Sequence, residues 1–177
     1  MTRHHVALAA ALLLTTAAGC AQQQEYTLPG DICGVEVDAT LLKPLLPPGE
    51  SLTQHTTLDG TELTGCAMEV DRKRELTFQA SLVTADVNPL EVKRRELQRA
   101  GNPQKAAVGT DARIADGAAM AYSACTFGGK PHRYVVEVWA DRSPSDVSAR
   151  RTALTRFITA YLPAAQQKAG CTDGRPQ

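Results

Sequence analysis

Hydrophobic and polar residues alternate along two pairs of segments, and this alternation predicts two antiparallel β-hairpins. In the first hairpin, alternating strands over residues 66–70 and 76–82 flank a charged turn. In the second hairpin, strands over residues 118–126 and 133–140 flank a glycine-rich turn. A period of two with polar residues between the apolar ones is typical of strands that have one buried and one solvated face.

Apolar residues spaced three or four apart predict three helices. The first is a short leucine-rich helix over 39–46, for which Asp38 can act as the N-cap. The second covers 90–99, and the third is long and covers 145–168. Pro163 lies inside the third helix and is expected to kink it or end it early. Helices that follow hairpins predict an α+β fold in which helices cover one face of an antiparallel sheet.

The composition fits one globular domain and excludes two classes of protein. Of the 177 residues, 43% are hydrophobic and 21% are charged, which provides a core and argues against a disordered chain. The length favours a single domain. The 19 basic residues are balanced by 19 acidic ones, so the basic excess of a nucleic-acid-binding protein is absent from the sequence.

The first 19 residues have the layout of a secretory signal. A weakly basic start precedes an apolar run over 6–14, which is shorter than the ~20 residues that a membrane-spanning helix needs. The run ends in Ala17-Ala18-Gly19-Cys20, which resembles the bacterial lipobox. The resemblance departs at Ala17, where leucine is more frequent. The alternative is an ordinary secretory signal in which Cys20 has no role.

The lipobox resemblance implies cleavage between Gly19 and Cys20 and attachment of a diacylglycerol to the Cys20 thiol. Two acyl chains bury enough methylene groups for stable anchoring in a bilayer. The sequence therefore predicts a protein that is anchored by lipid on the extracytoplasmic face of the cell membrane. The mature chain then divides into a polar tether over 20–30, a single domain over 31–172 and a tail over 173–177.

Four cysteines remain after Cys20 is set aside, and an even number in an oxidising compartment favours two disulfides. Three pairings are possible, and pairing neighbours along the chain joins Cys33 to Cys66 and Cys125 to Cys171. The alternative is that one pair stays reduced and buried. The chain has no Cys-x-x-Cys motif, and the histidines are not spaced like ligands, so no metal or cofactor is predicted.

Three short motifs give the chain a wider resemblance. Asp31-Ile32-Cys33 precedes the leucine-rich segment, Cys66-Ala67-Met68 opens a strand, and Gly109-Thr110-Asp111-Ala112 follows. With the lipobox, this order resembles small actinobacterial lipoproteins of unknown function. The resemblance implies a compact α+β domain similar to the Mog1/PsbP fold and carries over no catalytic residue. The chain departs from the pattern at Met68, where tryptophan is frequent, and in its additional Cys125 and Cys171.

No catalytic motif stands out in the sequence. Ser123 lacks the flanking glycines of a nucleophile elbow, and only His55 and His132 could serve as histidine bases in the mature chain. Both histidines fit solvated surface positions. No pair of carboxylates has a spacing that singles it out for acid–base work. A hydrolase whose site assembles only in the folded chain is the alternative hypothesis.

The leading prediction is a non-enzymatic binding module at the cell envelope. It would be held to the membrane through the lipid on Cys20 and would bind an envelope protein, a polymer or a small ligand, but no nucleic acid. Trp139 and Tyr134 are the aromatic residues that could serve such binding, although sheet packing also explains both.

Overall fold

The computed structural model of the chain describes residues 24–141 and 143–172. The predicted signal peptide, its cleavage site, Cys20 and the tail over 173–177 lie outside the described residues. The described part contains one seven-stranded antiparallel sheet in the order β1-β2-β3-β7-β6-β5-β4. The strands are β1 Leu52–Asp59, β2 Leu63–Val70, β3 Lys73–Thr84, β4 Gln104–Ala106, β5 Asp111–Ile114, β6 Ala118–Phe127 and β7 Lys130–Ala140.

Both predicted hairpins are present, with tighter turns than the sequence suggested. Two residues, Asp71 and Arg72, connect β2 to β3, and Gly128 and Gly129 connect β6 to β7. All four have positive φ, the conformation that matches a two-residue turn to the twist of its strands. Glycine adopts this conformation without steric cost, which explains the glycine pair in the second hairpin.

The long helix α3, Val147–Lys168, packs against one side of the sheet, which we call the main face. Phe78 on β3 contacts Phe157 and Tyr161 of α3, with ring centroids 5.4 and 6.0 Å apart. Residues between the buried ones on β3, such as Thr77 and Gln79, point the other way and are half-buried. The predicted α+β fold, with its antiparallel sheet, covering helices and two disulfides, is therefore confirmed.

The opposite side of the sheet, the second face, is partly covered as well. Leu90 and Leu97 of two short helices pack on Met120, Tyr122 and Val135, and they form a separate, smaller core. Residues of both alternating sets are buried over part of β6 and β7, and these two helices cover the set that faces away from α3. A helix over residues 90–99 was predicted from the sequence, but helices were expected on only one face of the sheet.

The two shorter predicted helices are interrupted. The predicted helix over 39–46 is two 3-10 turns, Ala39–Leu41 and Lys43–Leu45, because Pro44 has no amide hydrogen with which to continue an α-helix. Asp38 caps the first turn as predicted, accepting a hydrogen bond from the Thr40 amide at 2.9 Å. The predicted helix over 90–99 is divided into α1 Pro89–Val92 and α2 Arg94–Arg99.

Of the two effects predicted for Pro163, a kink or an early end of the helix, the early end is wrong, since α3 continues to Lys168 as its apolar spacing predicted. Pro163 leaves the carbonyl of Thr159 without an i→i−4 partner. Both residues are exposed, so water can satisfy that carbonyl. Asp146 caps the start of α3 by accepting from the Ala149 amide at 2.6 Å.

The part of the predicted tether that the structure describes contacts the domain. The Gln24 side chain donates to the carbonyl of Leu46 at 3.0 Å, and the Tyr26 hydroxyl donates to the carbonyl of Pro47 at 2.6 Å. Tyr26 also packs on the main core. The described contacts with the domain therefore begin at Gln24, within the segment assigned to the tether.

Asp71 ties the chain before β1 to the β2–β3 turn. Its carboxylate accepts from the amides of Ser51 and Glu50 at 2.9 and 3.1 Å and from the Ser51 hydroxyl at 3.0 Å. These donors stabilise the ionised form, and the Ser51 amide, the largest contributor, lowers the pKa of Asp71 below its ordinary value. Asp71 thereby fixes where the edge strand β1 begins.

The lowered pKa of Asp71 predicts a loss of stability in acid. A carboxyl whose pKa is lower in the folded chain stabilises it above the unfolded pKa and loses that contribution as the pH falls through the folded pKa. A carbon-13 NMR titration is expected to find the Asp71 pKa below that of a model peptide. Ser51→Ala removes one of the donors and should raise this pKa. An unperturbed Asp71 pKa would contradict the hydrogen bonds described.

Candidate functional site

A half-enclosed cavity of about 420 Å³ lies between the main face and the C-terminal turns of α3. We call it the tyrosine pocket. Its volume is within the ~300–1,000 Å³ that is usual for small-molecule sites. Its principal lining residues come from β1, β3, β7 and α3, and they are Leu58, Leu82, Tyr134, Tyr161, Ala165 and Lys168.

One wall of the pocket is a tight turn that a disulfide fastens to the sheet. Ile32 and Val35 exchange backbone hydrogen bonds of 2.9 and 3.0 Å around Cys33 and Gly34, which both have positive φ. Cys33 is bonded to Cys66 on β2, as the sequence analysis predicted. The amide of Cys33 also donates to the Gln54 side chain on β1 at 3.2 Å. Covalent and polar contacts thus hold this wall in place.

The second predicted disulfide, Cys125–Cys171, is also formed. It joins β6 to the segment that follows α3, beside the backbone pairing of Thr126 with Thr172. The pairing of neighbours along the chain is therefore confirmed, and the alternative of a reduced, buried pair is wrong for the described structure.

The two tyrosines of the pocket differ in their hydrogen bonding. The Tyr161 hydroxyl donates to the carbonyl of Ile32 at 3.2 Å and so connects α3 to the disulfide-bonded turn. The Tyr134 side chain is only 6% exposed, and its hydroxyl has no hydrogen-bond partner within residues 24–141 and 143–172. Burial raises the pKa of Tyr134 to about 12, so the hydroxyl stays protonated at neutral pH.

Three ionisable side chains other than tyrosine line the described pocket. Asp59 and Glu62 lie at the end of the β1–β2 hairpin, and Lys168 lies on the last turn of α3. The Lys168 ammonium donates to the carbonyl of Gly34. Two carboxylates against one ammonium make the charge around this pocket negative at neutral pH.

A second, more open cavity of about 670 Å³ lies on the second face beside α2, with Trp139 in its lining. Trp139 takes part in a short chain of polar contacts with Glu137 and Lys93. Its indole nitrogen donates to Glu137 at 3.2 Å, and Glu137, which is 6% exposed, also pairs with Lys93 at 3.5 Å. The sequence analysis named Trp139 and Tyr134 together, and the structure places them on opposite faces of the sheet.

The structure does not join the residues of the hydrolase hypothesis by hydrogen bonds. Ser123 lies on β6 opposite Tyr134, and His55 lies on the edge strand β1, four positions away in the sheet order. His132 is opposite Cys125, and its Nδ1 lies 3.0 Å from the carbonyl of Lys130. His55 lies 3.8 Å from Glu69. Within the described residues, Ser123 has no hydrogen bond to either histidine.

Two other features concern the described part of the chain. No group of three or more histidine, cysteine, aspartate or glutamate side chains is placed there to hold a metal ion. No helix of the same residues is long and apolar enough to cross a membrane.

Among the residues that line the tyrosine pocket, the sequence pointed to Tyr134 as a binding residue and to Cys33 and Cys66 as disulfide cysteines. The other walls come from segments far apart in the chain, and no local pattern indicates that they meet. The resemblance to small actinobacterial lipoproteins stays a prediction. Comparison with known proteins adds no family to this description, because no family model, curated protein or solved structure matches the chain.

Proposed function

We propose that this chain is a lipid-anchored extracytoplasmic binding module, and that the tyrosine pocket binds a small ligand without catalysing a reaction. One observation carries the binding proposal. A half-enclosed pocket on the main face contains a buried tyrosine, Tyr134, whose hydroxyl has no protein partner among the described residues. Pockets with apolar walls and a few convergent polar groups are the usual form of small-molecule sites. Binding of an envelope protein or polymer stays a separate prediction.

The proposed location has independent support. The domain contains two disulfides. Disulfides persist in oxidising compartments and are rare in the cytosol. Cys20 lies four residues before Gln24, and the described contacts with the domain begin at Gln24. Four extended residues reach at most about 14 Å. A lipid on Cys20 would therefore hold the Gln24 side of the domain close to the membrane surface.

Peptide mass mapping of the protein from the membrane fraction tests the anchor. We expect the N-terminal peptide to begin at Cys20 and to carry a diacylglycerol, which the variant Cys20→Ala cannot carry. Because acylation is the proposed attachment, the Cys20→Ala chain placed behind an ordinary cleavable secretory signal should leave the membrane fraction. Wild-type protein with an unmodified Cys20 would contradict the anchor and leave the pocket proposal untouched.

Dye binding tests the pocket. The Cys20→Ala chain is secreted behind an ordinary cleavable signal so that detergent is unnecessary, and it is titrated with Nile red, an uncharged dye whose fluorescence rises in apolar surroundings. We expect saturable binding. Thr56 is an exposed β1 residue that lines the pocket, so the large side chain of Thr56→Trp should occupy the ligand volume and weaken binding by about tenfold or more.

Thr53→Trp is the matched control, since Thr53 is exposed on the same strand but points to the other face. It should bind Nile red like the parent chain. Equal losses in both variants, or no saturable binding in the parent, would overturn the pocket as the binding site.

A further inference from the structure

The Tyr134 hydroxyl must open into the tyrosine pocket. Among the described residues, no fully inaccessible side-chain nitrogen or oxygen lacks a hydrogen-bond partner. The Tyr134 hydroxyl has no partner there, so it must reach open space. The tyrosine pocket is the described cavity that Tyr134 lines. A polar group that is buried in a protein is normally hydrogen-bonded, and a ligand can supply the missing partner.

The partner of this hydroxyl should be a hydrogen-bond acceptor. A phenol is protonated at neutral pH, and burial raises the pKa of Tyr134 further, so its hydroxyl can donate a hydrogen bond. Leu58, Leu82 and Ala165 line the pocket with apolar surface, and Gln54, Thr56 and Thr64 line it with polar surface. A ligand that matches these walls has an apolar part beside its hydrogen-bonding groups.

The charges at the pocket select against an anion. Asp59 and Glu62 line it together, and the single ammonium, that of Lys168, already donates to a backbone carbonyl. A carboxylate ligand would lose its hydration and meet two carboxylates against one ammonium. An ester, amide or ketone oxygen accepts a hydrogen bond without this cost.

We infer that the tyrosine pocket selects an uncharged molecule with an apolar part and a carbonyl acceptor, which receives a hydrogen bond from the Tyr134 hydroxyl. This inference rests on the binding function proposed above and names the ligand class of the same pocket. Tyr134 is thereby the residue that determines specificity, and Asp59 and Glu62 disfavour anionic analogues.

Competition with Nile red on the secreted Cys20→Ala chain tests the inference with three probes of similar size. They are methyl octanoate, the octanoate anion and pentylbenzene, which has no acceptor. Tyr134→Phe keeps the ring and removes the hydroxyl. This variant should weaken the binding of methyl octanoate about three- to tenfold, as expected for the loss of one hydrogen bond, and should leave the binding of pentylbenzene unchanged. Octanoate should bind more weakly than its methyl ester in the parent chain.

The double variant Asp59→Asn/Glu62→Gln tests the charge argument without touching Tyr134. It should strengthen octanoate binding and leave the ester unchanged, since only the anion is repelled. The inference is overturned if Tyr134→Phe weakens the binding of methyl octanoate and of pentylbenzene equally, or if octanoate binds more tightly than its methyl ester. Those results would leave the pocket as a binding site, whereas absence of any Nile red binding would overturn the proposed function itself.

Discussion

Phe157→Ala is expected to lower the free energy of unfolding by about 3–5 kcal/mol, the usual cost of truncating a fully buried phenylalanine. Phe157 has no exposed surface and stacks on Tyr161 with ring centroids 5.1 Å apart. It also contacts Phe78, so it joins α3 to the centre of the sheet. Denaturant unfolding followed by circular dichroism measures the loss.

Arg156→Ala is the matched control for this prediction. Arg156 is the preceding residue of α3, and it is exposed. Alanine is a better helix former than arginine, so the change in unfolding free energy should stay within about 0.5 kcal/mol. If Phe157→Ala cost as little as the control, the packing of α3 on the main face would be wrong.

The core that Phe157 belongs to was predictable because its pattern is strong. The strict alternation around Phe78 on β3 and the helical spacing of Leu154, Phe157, Ile158 and Tyr161 on α3 each indicate one buried face. Both hairpins and the long helix could therefore be identified from the sequence. Element ends were less accurate, because turn geometry such as that of Asp71 and Arg72 is not encoded by hydrophobic periodicity.

The strands that the sequence analysis missed lack that pattern. β1 is an edge strand whose residues are mostly exposed, so threonine, glutamine and histidine replace the apolar set. β4 and β5 are three and four residues long, which is too short for a periodic signal. Tertiary pairing with β2 and β6 makes these segments strands, and a local pattern cannot show it.

The tyrosine pocket could not be predicted from the sequence, for a related reason. Its walls combine β1, the turn around Gly34, β7 and the end of α3, and they meet only once the sheet order is known. The predicted Cys33–Cys66 bond was the one sequence feature that brought two of these segments together. Tyr134 could be named as a candidate, but its missing hydrogen-bond partner is a property of the folded chain.

Removing the second disulfide with Cys125→Ala/Cys171→Ala should lower the unfolding free energy by about 2–4 kcal/mol. The two cysteines are 46 residues apart, so the bond closes a long loop and restricts the unfolded chain. The loss should also be local, because the bond holds the chain after α3 against β6. There, Thr126 and Thr172 exchange backbone hydrogen bonds of 3.0 and 3.2 Å.

Hydrogen exchange separates the local effect from the global one. The double variant should lose protection at the Thr172 amide and at the Cys171 position, whose amide donates to the carbonyl of Gln166 at 3.1 Å. Amides at the centre of the sheet should lose only the protection that corresponds to the fall in global unfolding free energy. The variant Cys33→Ala/Cys66→Ala keeps only the second of the two disulfides, and in reductant it should show the same local loss of protection. Unchanged protection at Thr172 would contradict this role of the disulfide. Without the covalent link, the chain after α3 should be held against β6 less firmly.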